Sequence, residues 1–119
     1  MKDNIIKTKS FTFAIEIIRL YKFLCEHKKE YVISKQLLRS GTSIGAMVRE
    51  SEHAESKADF IHKLSIALKE ANESEYWLEL LAQSDYLNKE NFEDINRRLI
   101  EILKLLTAII KTSKKYTPK

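Results

Sequence analysis

A glutamate and a histidine three positions apart, Glu50 and His53, are the residues best spaced for chemistry in this chain. Glu-x-x-His on a helix is how carboxylate-bridged di-metal bundles present two ligands to one ion. Asp59-Phe60-Ile61-His62 repeats the spacing with a shorter carboxylate. A working site needs two such motifs facing each other at mid-bundle, with two further carboxylates. Here both motifs flank one connection at a bundle end, and Asp59 stands where a helix cap is needed. No metal ligand is therefore assigned, and no cofactor. Gly41-Thr42-Ser43-Ile44-Gly45 lacks the lysine and the preceding strand of a phosphate loop. No nucleophile, base and orienting group fall together, so no catalytic residue is assigned and a non-enzymatic role is expected. Cys25 has no base within a helical turn except His27, which points elsewhere, and it reads as a small core residue.

Binding chemistry is better represented. Arg97, Lys104, Lys111 and Lys115, spaced seven, seven and four, share one helix face, with Lys114 beside the last of them. These five are the candidate nucleic-acid-binding residues, making contacts mainly to phosphates. Asp94 and Glu101 lie close to that face and partly cancel it, so a plain solvated face is the alternative. Charge placement points the same way. Of 21 basic residues, Lys111, Lys114, Lys115 and Lys119 fall in the last nine positions with no acid, leaving 17 bases against 17 acids before them. Arg39 stands beside Gly41 and Gly45. It is placed either to touch phosphate or to pair with Glu70, Glu73 or Glu75, and the ion pair is the preferred reading. Tyr76 and Trp77 are aromatic enough to stack on bases, but packing at a helix or subunit contact is preferred.

These residues must be held by helices. Two glycines and one proline in 119 residues leave little material for turns. One domain's worth of chain, rich in Leu, Ile, Lys, Glu and Ala, is expected to be all-α. Helix 1 is expected from about Ser10 to His27, after a loose arm over 1–9 with Ile5 and Ile6 as its docking point. It carries two apolar stripes, Phe11-Ala14-Ile18-Tyr21-Cys25 and Phe13-Ile17-Leu20-Leu24. Helix 2 is expected from Ser34, as N-cap, to His53. Gly41 invites a break and a helix-turn-helix reading. Against it, Leu37, Gly41, Ile44 and Val48 keep helical spacing across the supposed break. Two mid-helix glycines cost about 2 kcal/mol relative to alanine, which close approach of a neighbouring helix would explain. The continuous helix is taken.

Helix 3 opens at a capping box, Ser56 to Asp59, and carries Phe60, Leu64, Ala67, Ala71, Ser74, Leu78 and Leu81. Asn88 caps helix 4, whose stripe is Phe92, Ile95, Leu99, Ile102, Leu106 and Ile109. A basic tail, 113–119, is expected to fray. Four such helices on short connections predict an antiparallel up-down-up-down four-helix bundle. Surplus apolar residues, Phe13 and Ile17 on helix 1 and Ile100, Leu103 and Ile110 on helix 4, are the candidate oligomer interface. No apolar run is long enough to span a membrane, the N-terminus lacks a signal peptide's apolar core, and the lone Cys25 allows no internal disulfide. A cytoplasmic protein is expected.

The segments Leu37–Ala46, Phe60–Ala71 and Tyr76-Trp77-Leu78 resemble bacterial four-helix bundle proteins encoded in intervening sequences of large-subunit ribosomal RNA genes, often labelled as ribosomal proteins. The accessory variability proteins of diversity-generating retroelements look like a related branch. The resemblance runs from Phe11 to about Ile110. It implies an antiparallel bundle, a ring-like homopentamer and no enzymatic activity. In the retroelement branch it also implies a basic surface that engages nucleic acid and a reverse transcriptase. This chain departs from the usual pattern at Met47, where Asn is common, and at Ser51, where Ala is common. The expected function is thus a homo-oligomeric, RNA-associated accessory protein. The alternative is a purely structural or protein-binding scaffold with no nucleic-acid role.

Overall fold

The computed structural model describes residues 4–115. Four helices follow in order: α1 Ile5–His27, α2 Ile33–Ser51, α3 Lys57–Gln83 and α4 Lys89–Lys115. They form an antiparallel up-down-up-down bundle in which each helix packs on its chain neighbours and α4 closes against α1. The body measures 53 × 24 × 21 Å.

α1 starts at Ile5, ahead of the expected Ser10. Asn4 caps it by accepting from the Lys7 N–H at 3.2 Å. Ile6 is buried in the core. Lys7 and the Asn4 amide both reach Glu52 at the end of α2, at 3.2 and 3.1 Å. Residues 5–9 are therefore helix and not a loose arm, because one buried isoleucine and two polar ties hold them down. Residues 1–3 lie outside the described range.

The α1–α2 connection is built on Glu30, not on Ser34. The Glu30 carboxylate accepts from the backbone N–H groups of Val32, Ile33 and Ser34 at 3.1, 2.9 and 2.7 Å. Ser34 itself lies inside the first turn, and its hydroxyl donates back to the Glu30 carbonyl at 2.8 Å. A carboxylate at this place satisfies three of the donors that every helix start leaves open. Burial pushes the Glu30 carboxyl upward, but the backbone N–H groups of Ile33, Ser34 and Val32 outweigh it. The net shift is below the ordinary glutamate value.

α2 runs unbroken through both glycines. A Cβ on Gly41 would stand 2.8 Å from Cγ1 of Ile17, and one on Gly45 would stand 3.4 Å from the Ser10 carbonyl oxygen. Both glycines thus mark where α1 presses on α2. On the other flank, Ser40 and Ser74 hydroxyls meet at 2.9 Å, fully buried between α2 and α3. α3 begins as expected, with the Ser56 hydroxyl accepting from the Asp59 N–H at 3.0 Å. Asp85, in the left-handed region at φ 67, ends it. Asn88 then caps α4 by accepting from the Asn91 N–H at 2.8 Å.

The α3 stripe is buried from Leu64 to Leu81, with Phe60 half-buried at its start. The α4 stripe is buried from Ile95 to Leu106, and then Ile110, not Ile109, takes the last core position. On α1 the core stripe is Phe13, Ile17 and Leu24, while Phe11 and Ile18 stand outside, 51% and 40% exposed. Three expected interface residues therefore need correction. Phe13, Ile17 and Ile110 belong to the subunit's own core, at 1%, 0% and 8% exposure. Gly41 is the physical reason on α1, since its missing side chain draws the Ile17 stripe inward. α4 continues as helix to Lys115, so residues 113–115 are not frayed, and 116–119 lie outside the described range.

Candidate nucleic-acid interface

The flank of α4 that faces α1 carries Arg98, Glu101 and Leu105. Glu101 pairs with Lys9 of α1 at 3.1 Å, and Arg98 lines a cleft with Thr8 and Thr12. At 100° per residue, Ile100, Leu103 and Thr107 then fall on the opposite flank, beside α3. Arg97, Lys104, Lys111 and Lys115 fall between the two flanks, on the outer ridge, and all four are exposed. Lys114 is also exposed but turned toward the Leu103 flank.

The acids expected to cancel this ridge are committed elsewhere or only in part. Asp94 holds Arg97 at 2.5 Å and approaches Arg98 at 3.9 Å. Glu101 is drawn to α1 by Lys9. Lys104 and Lys111 have no acidic partner among the described residues. The basic centre of the ridge is thus Lys104 and Lys111, with Arg97 partly neutralised.

Two shallow grooves run along this ridge. One, about 600 Å³, is lined by Arg97, Arg98, Ile100, Glu101 and Lys104. The next, about 490 Å³, is lined by Ile100, Leu103, Lys104, Thr107, Ala108 and Lys111. The candidate assembly residues Ile100 and Leu103 and the candidate phosphate-binding lysines therefore occupy one strip. Sequence spacing gave them separate stripes. Side-chain width on a cylinder about 10 Å across brings them together.

The apolar surface of α1 lies on the other side of the molecule. Arg49 of α2 stands 5.2 Å from the Phe11 ring centroid, which places Phe11 on the α1–α2 edge. Ile18, two turns on, continues that edge. This pair was not singled out from sequence, because the two α1 stripes are equally apolar and nothing local distinguishes inside from outside.

Arg39 is an ion-pair residue. Its guanidinium meets Glu70 at 3.2 Å and also Glu73. Glu73 accepts the Trp77 indole N–H at 3.0 Å, and Tyr76 packs edge-on to Trp77 at 5.1 Å. Of the three acids considered, Glu75 alone is not a partner. This network ties α2 to α3 across the close contact at Ser40 and Ser74. Glu50 pairs with Lys63 at 3.4 Å, and Asp59 accepts from the Glu55 N–H at 3.2 Å. Among the described residues no three metal-binding side chains gather. Cys25 is half-buried, its Sγ 4.0 Å from the Ser34 hydroxyl, and it raises the pKa of the adjacent Tyr21. No described helix is long and apolar enough to cross a membrane.

These features define a small antiparallel four-helix bundle with a lysine-edged apolar strip on its last helix. The chain belongs to the 23S rRNA-intervening sequence protein family, whose model matches residues 2–108. A solved structure from Bacteroides thetaiotaomicron VPI-5482, a protein of unknown function from the S23 ribosomal protein family, is 61% identical. The match covers 89% of this chain and 98% of that one, with a TM-score of 0.88. Comparison with curated proteins finds no significant match.

Proposed function

We propose that this protein is a homo-oligomeric, RNA-associated accessory protein of the cytoplasm that performs no catalysis. The observation that carries the reading is the α4 strip, where Lys104 and Lys111 lack acidic partners among the described residues and border Ile100 and Leu103. Half-exposed apolar surface of this kind favours association. The Phe11–Ile18 edge and the α4 strip are unlike patches on different sides of the bundle. Contact between unlike patches is heterologous, and it closes into a ring when the rotation allows. Five copies is the number that the family resemblance implies. A ring repeats the basic ridge once per subunit, so weak phosphate contacts multiply. Single-stranded or structured RNA is the proposed partner, alone or with a reverse transcriptase, since no described helix is offered for reading a DNA groove. The family's connection with 23S rRNA supports that choice.

The test is light scattering for the subunit count, with an RNA titration at two salt concentrations. Binding should weaken steeply with salt, by a log–log slope of about −0.7 per phosphate contact for a single strand. A monomer at micromolar concentration removes the ring. An oligomer that retains no RNA at low salt leaves the protein-binding scaffold as the function. That second reading has its own support, because a protein partner would cover the apolar half of the same strip.

A further inference from the structure

The end of the bundle opposite Asn4 holds a cavity of about 610 Å³, where α1 finishes and α3 turns into α4. Its size suits a nucleotide. Phe23, 38% exposed, forms one wall. Asn88 and Asn91 line the same cavity. Asn88 spends its carbonyl oxygen on the Asn91 N–H, leaving its NH₂ group to donate. The Asn91 side-chain amide forms no hydrogen bond among the described residues. Lys28, Lys89, Asp85 and Glu93 also line the cavity, and none of these four is in an ion pair among the described residues. Two positive and two negative charges give no net attraction for a bare anion. A neutral planar group rimmed with donors and acceptors matches better: the ring stacks, amides meet its edge, and a carboxylate accepts from an exocyclic amino group. The Lys28 ammonium lies over the Phe23 ring, 6.0 Å from its centroid, and the His27 ring packs tilted against Phe23 at 5.3 Å. A stacking base must displace the flexible Lys28 side chain, whose ammonium can then meet a flanking phosphate.

We propose that this cavity seats one purine base splayed from a single strand, stacked on Phe23 and read at its edge by Asn88 and Asn91. The proposal rests on the RNA-associated reading above, but it uses a different part of the molecule from the α4 ridge.

The experiment is an NMR titration of the full-length protein with purine and pyrimidine nucleoside 5′-monophosphates. Purine monophosphates should shift the side-chain amide signals of Asn88 and Asn91 and leave the Trp77 indole signal in place. Phe23→Leu keeps the wall apolar and should weaken that binding by about tenfold, the loss of one base–aromatic stack. Asn91→Ala is the second variant, should Phe23→Leu lose helicity. Absence of shifts at millimolar purine nucleotide overturns the proposal. Equal shifts with N-acetyl-tyrosinamide also overturn it, by assigning the cavity to a protein aromatic side chain. If wild type binds the mononucleotide but retains no RNA at low salt, the accessory reading falls and the single-strand proposal with it, the cavity then being a site for the free mononucleotide. If RNA is retained and Phe23→Leu binds purine nucleotides as wild type does, the seat alone falls.

Discussion

The Cβ position of Gly41 lies 2.8 Å from Cγ1 of Ile17, closer than side-chain carbons approach one another. Gly45, one turn on, offers 3.4 Å to the Ser10 carbonyl oxygen, an ordinary contact. Two identical residues on one helix face thus have different reasons for being small. At Gly41 the constraint is a β-branched side chain in the core, and Ile17 has no exposed side to move toward.

Opposite signs follow for the two alanine variants. Gly41→Ala should destabilise by about 1–2 kcal/mol, as overpacking exceeds the gain in helix propensity, and Gly41→Leu by about 3 kcal/mol. Gly45→Ala should be neutral or stabilise by up to about 1 kcal/mol. Adding Ile17→Val to Gly41→Ala should recover part of the loss. Urea midpoints of wild type, these four variants and Ile17→Val alone form the check, and additive effects in the double variant would remove the contact as the cause.

Glu30 gives the α1–α2 connection a sensitivity to acid. Its folded pKa lies below the ordinary 4.5, so its contribution is complete above that value and is lost as pH falls through the folded pKa. Glu30→Ala should cost about 1–2 kcal/mol at pH 7, as loss of a helix cap does. The same substitution should cost less at acid pH, to the extent that the native carboxyl has become protonated. Chemical denaturation at the two pH values separates this from a general packing defect, which would cost the same at both. Glu52, held low by its hydrogen bond to Lys7, contributes with the same sign at the other end of the helix pair.

Assembly should depend on the outer stripe and not on the inner one. Phe11→Glu or Leu103→Glu is expected to yield a smaller species by light scattering, with helical circular dichroism retained. Ile17→Glu, by contrast, should unfold the subunit, because it places a charge in the core. An oligomer that survives both surface changes would locate the contact elsewhere.

For RNA retention, the lysines should outweigh the arginine. Lys104→Gln with Lys111→Gln should lower the salt slope by about 1.4, the value for two phosphate contacts on a single strand. Arg97→Gln should have less effect, since Asp94 already holds that guanidinium. Equal losses from the three positions would mean that the Asp94 pair opens on binding. Replacing Arg97, Lys104 and Lys111 together by glutamate should abolish retention.

The sequence determined the helices almost completely. Heptad spacing on α3, the caps at Ser56 and Asn88, and the Leu37-Gly41-Ile44-Val48 register are local signals, and each survives into the structure. The pairing of Arg39 with Glu70 and Glu73 was also legible, since a charge beside a small-residue crossing has few partners within reach. Only the tertiary structure decided which of two equally apolar α1 stripes is the core. That choice is made by the space Gly41 leaves on a neighbouring helix, which no periodicity within α1 contains. The same holds for Glu30, whose role depends on a turn that brings three backbone N–H groups to its carboxylate. It holds again for the α4 strip and the cavity at Phe23. Both join residues whose spacing in the chain is irregular, and their proximity exists only after the helices have packed.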